Sequence, residues 1–242
     1  MFAIGIEGLR GTPGIRKWWA EYIDQCWFMA KVTTLPAMLV ALPIGATVSL
    51  QVGQLVKQLG AQASTGSIVV LGIVREASPF AAALLIAGAG CSAISSDMGA
   101  RNIRDELDAM YVLGINTVHT LVTPRLWAAA SVATMLVSVI IIAGVSGGFV
   151  FNVMLQGVSA GAYVSGATSL LQPADFLIAL FKAAIFGGVA GMVACYKGMT
   201  CQRGPVGVGL AVKQAVVTTF LLLFLINYVI TTLYFAFVPP KI

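Results

Sequence analysis

Charge is what this sequence has least of. Lys, Arg, Asp and Glu make up 10% of its 242 residues, against 59% that are hydrophobic. A soluble domain carries about 25% charged residues. The chain lacks the polar side chains that a water-facing surface needs, which excludes an ordinary soluble fold. It also has one histidine, His119, and four cysteines, Cys26, Cys91, Cys195 and Cys201, none of them in a CxxC pair. A zinc site is not expected on those terms. No GxxxxGK[ST] string occurs, so no phosphate loop is visible and the chain is not expected to bind ATP by itself. No basic run interleaved with aromatics marks a nucleic-acid surface. The start of the chain shows no pattern of a cleaved signal.

Long apolar runs are what the sequence has instead. Residues 32–56, 66–96, 123–151, 174–196 and 214–238 are each long and apolar enough to cross a bilayer. The expected fold is an all-α membrane protein with five transmembrane helices. Residues 13–31, "PGIRKWWAEYIDQCWFMAK", mix charged and aromatic side chains and are too polar to span. They suit an interfacial amphipathic helix, or a soluble amphipathic helix packed on another domain. Residues 1–31 are thus the N-terminal interfacial segment and 32–238 the membrane domain. Residues 152–173, rich in Gly, Ser and Gln, read as a connection between spans.

Basic residues orient the spans. Ten of them, Arg10, Arg16, Lys17, Lys31, Arg101, Arg104, Arg125, Lys197, Arg203 and Lys213, fall on one side, against two, Lys57 and Lys241, on the other. That places the N-terminus in the cytoplasm and the C-terminus outside. Arg75 and Lys182 fall within spans. Arg75 and Glu76 either face a wet lipid path or sit in the outer interface. Lys182 is nearer a span end and is expected to snorkel.

One stretch concentrates charge. "SDMGARNIRDELDAMYVLGINTVHTLVTPRLW", 96–127, holds Asp97, Asp105, Glu106 and Asp108, four of nine acids, together with Arg101, Arg104 and Arg125. Read as one helix from Arg101 to Gly114, it gathers Ile103, Leu107 and Met110 on one stripe. Arg101, Arg104, Asp105 and Asp108 face the other way, with Glu106 on a flank. On that single helix the bases precede the acids, which opposes the helix dipole. A partner surface accounts for them better than helix stability, the alternative being an ordinary solvated loop helix. The expectation is a cytoplasmic helix at about 97–118, between spans two and three.

The stretch 87–125, "AGAGCSAISSDMGARNIRDELDAMYVLGINTVHTLVTPR", resembles the motif region of the MlaE/YrbE permeases, membrane subunits of lipid-transporting ABC systems that work with MCE-domain proteins. Asp97–Gly99, Arg101, Arg104, "DELDAM" at 105–110, "LG" at 113–114 and "PR" at 124–125 match in order. "REASP" at 75–79 stands where the family has "RELGP". The resemblance extends over about 20–238. Ala89 replaces an arginine common in the family, as in the actinobacterial A-type YrbE subunits that pair with a B-type subunit.

The resemblance implies that the charged helix is a coupling helix seated on a cytoplasmic ATPase, with Arg101, Arg104, Asp105, Glu106, Leu107, Asp108 and Met110 at the seat. It implies a B-type YrbE permease as heterodimer partner, an ATPase dimer that holds ATP and Mg, an MCE hexamer, and a membrane lipid as cargo. The implied function is a non-enzymatic permease in the plasma membrane, moving a fatty or mycolic acid, sterol or phospholipid, in the import direction. The alternative is a secondary transporter or channel without an ATPase, against which the lack of an inverted repeat counts. A membrane acyltransferase would need a catalytic partner for His119, and none is obvious.

Overall fold

The computed structural model of the chain describes residues 7–8, 15–58, 60, 65–155 and 157–237. No strand occurs among them. The helices are α1 (Ile15–Gln58), α2 (Thr65–Gly72), α3 (Ser78–Leu85), α4 (Cys91–Ile103), α5 (Glu106–Val112), α6 (Thr123–Met154), α7 (Ala160–Leu170), α8 (Pro173–Met199) and α9 (Pro205–Phe237). Three π-helical turns, Ile73–Ala77, Ile86–Gly90 and Val118–Val122, join α2 to α3, α3 to α4, and lead into α6. Five stretches are long and apolar enough to cross a membrane: Trp19–Val56, Thr65–Ile103, Val118–Met154, Pro173–Met199 and Pro205–Tyr234.

The five expected spans are all present, with different ends. From residue 15 on, no break separates the charged N-terminal stretch from the first span: α1 is one helix of 44 residues carrying Pro36 and Pro43 inside it. At 1.5 Å per residue it is about 66 Å long, far beyond the ~30 Å of a hydrocarbon core. The last span begins nine residues earlier than expected, with Pro205 opening α9, where its missing N–H costs nothing. Residues 152–173 are not merely a connection, because they contain α7. Ser159 caps it, its hydroxyl accepting from Ala162 N at 3.2 Å. Residues 1–6, 9–14 and 238–242 lie outside the described residues, and with them Arg10 and Lys241.

The chain forms two compact units. The first comprises residues 1–33, 83–133 and 184–242. Its core packs Ala83, Ala87, Phe186 and Leu223 against Val189, Ile226 and Ile230. Small residues let α6 and α8 touch there: a Cβ on Gly187 would collide with the Ala129 carbonyl. Buried Cys91 donates to the Ala190 carbonyl and to Thr219, both at 3.4 Å.

The second unit comprises residues 34–82 and 134–183. Its core is Val69, Val70, Ile73, Val74 and Tyr163, covered by Val48, Val145 and Phe149 among others. Here α7 lies against α2, with the Ser67 hydroxyl donating to the Gly166 carbonyl at 2.7 Å. Backbone meets backbone between α1 and α6, where a Cβ on Gly45 would strike the Gly144 carbonyl.

Candidate functional site

In the first unit the charged stretch is not one helix. α4 ends at Ile103, and Asp105 takes a left-handed conformation with φ 57°, the one non-glycine positive φ among the described residues. α5 then runs only from Glu106 to Val112. The break changes the meaning of the charges. Arg101 stands in the last turn of α4, and Glu106 and Asp108 in the first turn of α5. Each sits where the helix dipole favours it. The bases precede the acids because one helix ends between them, so helix stability accounts for the order. The expected single helix over 97–118, and the argument that its charge order demanded a partner, are corrected.

The loop between α8 and α9 touches the break. Arg203 reaches Asp105 at 2.9 Å and Asp108 at 3.3 Å. Asn102 Nδ2 donates to the Cys201 carbonyl at 3.0 Å. The i,i+4 pairs that a single helix would offer, Arg101 with Asp105 and Arg104 with Asp108, do not form. Arg101 pairs with Asp97 at 3.4 Å and with Glu106 at 3.7 Å, and Arg104 pairs with Glu106 at 3.0 Å. Ile103, Leu107 and Met110 are half-buried and Arg104, Asp105 and Asp108 exposed, but Arg101, expected on the charged face, is half-buried too. Beyond them the chain exposes an apolar edge: Tyr111, Val112 and Leu113 are 83%, 84% and 73% exposed.

Behind this block lies a buried arginine that the sequence reading matched in the motif but gave no role. Arg125 is fully buried on the first turn of α6. Its guanidinium donates to the Leu121 carbonyl at 2.8 Å and to Asp97 at 2.7 Å, and lies 3.1 Å from Glu21 of α1. A buried charge needs such partners.

The second unit brings Arg75 and Glu76 to partners on α8. Arg75 Nε donates to Asp175 at 2.7 Å, and Lys182 donates to Glu76 at 2.9 Å and to the Arg75 carbonyl at 3.3 Å. Neighbours in sequence do not normally face one helix together. The wider π turn Ile73–Ala77 carries both and re-aims them. Asp175 is fully buried and Lys182 is 2% exposed, so Lys182 does not snorkel; it is locked to Glu76. Asp175 and Lys182 were missed as partners. The signal was present: four ionisable residues in apolar runs are expected to pair with one another.

The same unit holds an apolar groove of about 550 Å³ between α1 and α6, lined by Leu42, Pro43, Val150, Phe151 and Met154 among others. Tyr163 is buried edge-on to Phe149, with ring centroids 5.6 Å apart, and burial pushes its phenol up to about 12. Two Gly-x-Ser-x-Gly strings, 144–148 and 157–161, resemble a hydrolase elbow in letters only. Ser146 lies inside α6, donating to the Ala143 carbonyl, and Ser159 caps α7. An elbow needs a strand leading into the turn.

The chain matches the model of the family described as Permease MlaE over residues 22–233. It is 32% identical to a probable ABC transporter permease protein of Rickettsia bellii, over 79% of this chain and 74% of the relative. It is 27% identical to the intermembrane phospholipid transport system permease protein MlaE of Haemophilus influenzae, over 94% of this chain and 87% of the relative. Similarity reaches the chloroplastic protein TRIGALACTOSYLDIACYLGLYCEROL 1 of Arabidopsis thaliana, at 26% over 79% of this chain and 55% of the relative. With five apolar helices, the motif in order from Asp97 to Arg125 and a match across most of its length, the chain belongs to the MlaE permease family, as a multi-pass, non-catalytic permease of ABC-transporter type.

Proposed function

We propose that this chain is the permease subunit of an ATP-driven importer of a hydrophobic lipid in the plasma membrane. Its partners in this reading are a B-type YrbE permease, a cytoplasmic ATPase dimer holding ATP and Mg, and an MCE-domain hexamer. The cargo class, a fatty or mycolic acid, sterol or phospholipid, follows the resemblance and the phospholipid named for the Haemophilus relative. In this reading the cofactors belong to the ATPase and not to this chain. Residues 32–238 form the permease domain in this reading, 1–31 the interfacial segment, and Arg75 and Glu76 line the lipid path.

One observation carries the reading. Outside the five apolar stretches, α5 presents a charged first turn and then an apolar edge, Tyr111–Leu113, that stays 73–84% exposed. Such an edge beside paired charges suits a protein groove. The seat comprises Arg101, Arg104, Asp105, Glu106, Leu107, Asp108 and Met110, extended here by that edge.

The test is recovery of the ATPase with the tagged permease from membranes. Val112 is 84% exposed, so with Val112→Asp the permease should keep its size-exclusion profile while the ATPase is lost. Asp105→Lys with Asp108→Lys should do the same, and also set lysines against Arg203. Full ATPase recovery and normal transport with Val112→Asp would remove the seat. Mass spectrometry of the same material identifies the second permease and the bound lipid. A complex holding only two copies of this chain would refute the heterodimer.

A further inference from the structure

Six charged side chains in the first unit form one alternating series: Glu21, Arg125, Asp97, Arg101, Glu106, Arg104. It begins on α1, passes through α6 and α4, and ends around the break between α4 and α5. Burial changes along it. Arg125 is fully buried, Asp97 and Glu21 are about one-third exposed, and Arg104 is 61% exposed.

The two ends therefore behave differently. Exposed ion pairs each contribute about 0–1 kcal/mol, so the links at Glu106 can break and re-form as α5 moves. The buried guanidinium cannot be left without a carboxylate at similar ease. One terminal nitrogen of Arg125 serves both carboxylates, Asp97 Oδ2 at 2.7 Å and Glu21 Oε1 at 3.1 Å. If Asp97 is drawn away with the end of α4, Glu21 is the carboxylate that remains. If Asp97 stays, Glu21 is free to leave.

We propose that Arg125 is a positioning residue for transport: by sharing one nitrogen between Asp97 and Glu21, it ties displacement of α5 and α4 to displacement of α1. The proposal rests on the reading that an ATPase seats on α5. It gives Glu21, on a segment otherwise readable as a mere interfacial helix, a defined task. Tyr22 adds a second contact of α1 with α6, to the Ser131 hydroxyl at 2.8 Å. That neutral contact lets α1 shift without separating.

The experiment uses the complete complex and needs no knowledge of the lipid. Spin labels are placed at Asp24→Cys on α1 and Trp127→Cys on α6, with Cys26 and Cys201 replaced by serine. Electron–electron distances are measured with and without ATP and vanadate. The parent should show a second, nucleotide-dependent distance. Glu21→Gln should keep the ATPase bound and reduce the population of that distance by about fivefold or more, the size of an ordinary coupling free energy. Lys31→Gln, exposed on the same helix, should leave it intact. A parent distance that ignores nucleotide overturns the proposal, as does an unchanged response in Glu21→Gln. Loss of the ATPase from the unmodified parent would instead overturn the reading of α5, and is seen separately in the pull-down.

Discussion

Asp175 does two things at once. One carboxylate oxygen accepts from the Gln172 backbone N–H at 3.0 Å, closing the start of α8; the other takes the Arg75 guanidinium at 2.7 Å. The residue is fully buried, so removing it takes a close carboxylate partner from Arg75. Breaking a buried pair from one side costs about 3–5 kcal/mol, whereas replacing both partners with apolar groups is often neutral. Asp175→Leu should therefore lower the thermal midpoint in detergent sharply, and Arg75→Met added to it should restore much of the loss. The restoration should be incomplete, because the lost cap alone costs about 1 kcal/mol. A double variant less stable than Asp175→Leu would show that the two residues do not act as a pair. Their partnership was open to deduction from charge within apolar runs. Which acid met which base was not, since that depends on the π turn at Ile73–Ala77.

Elements were legible where length and hydropathy decide, and less so where backbone geometry does. Five apolar runs in the sequence correspond to five apolar stretches in the structure. α7 escaped notice because eleven Gly- and Ser-rich residues have weak helix propensity, and its stability comes from lying on α2. The break between α4 and α5 escaped because no Gly or Pro marks it. The order of charges was the mark: bases that close one helix, then acids that open the next. Asp105 can be tested directly. A left-handed residue costs about 1–2 kcal/mol for most side chains, and Asp and Gly tolerate it best. Asp105→Gly should keep or raise stability despite losing the exposed Arg203 pair, and Asp105→Ala should lower it. If the alanine variant is the more stable, α4 and α5 run as one helix.

At the scale of the whole molecule, most apolar surface remains uncovered by the chain itself. Only 11% of the apolar window in α9 and 22% of that in α1 is buried. Lipid and partner helices must cover the rest, which is why composition excluded a soluble fold. Orientation then follows from which polar ends each leaflet meets. An odd number of spans puts the two termini on opposite sides, and lysines and arginines are retained in the cytoplasm. The structure moves Lys182 from a span end into a buried pair, so it does not bear on the ten-against-two imbalance read from the sequence. In the orientation expected from the sequence, the loop holding Arg203 lies on the basic, cytoplasmic side and the residues that open α7 on the other. Cysteine accessibility separates these. A probe at Gln202→Cys, which leaves Arg203 on Asp105 and Asp108, should react with a membrane-impermeant maleimide only after the cells are opened. A probe at Ala160→Cys should react in intact cells. Both need a background in which Cys26 and Cys201 are serine, because those two are partly exposed. The reverse pattern would put α5 outside the cell, out of reach of any cytoplasmic ATPase. The proposed seat at Tyr111–Leu113 would fall with the orientation.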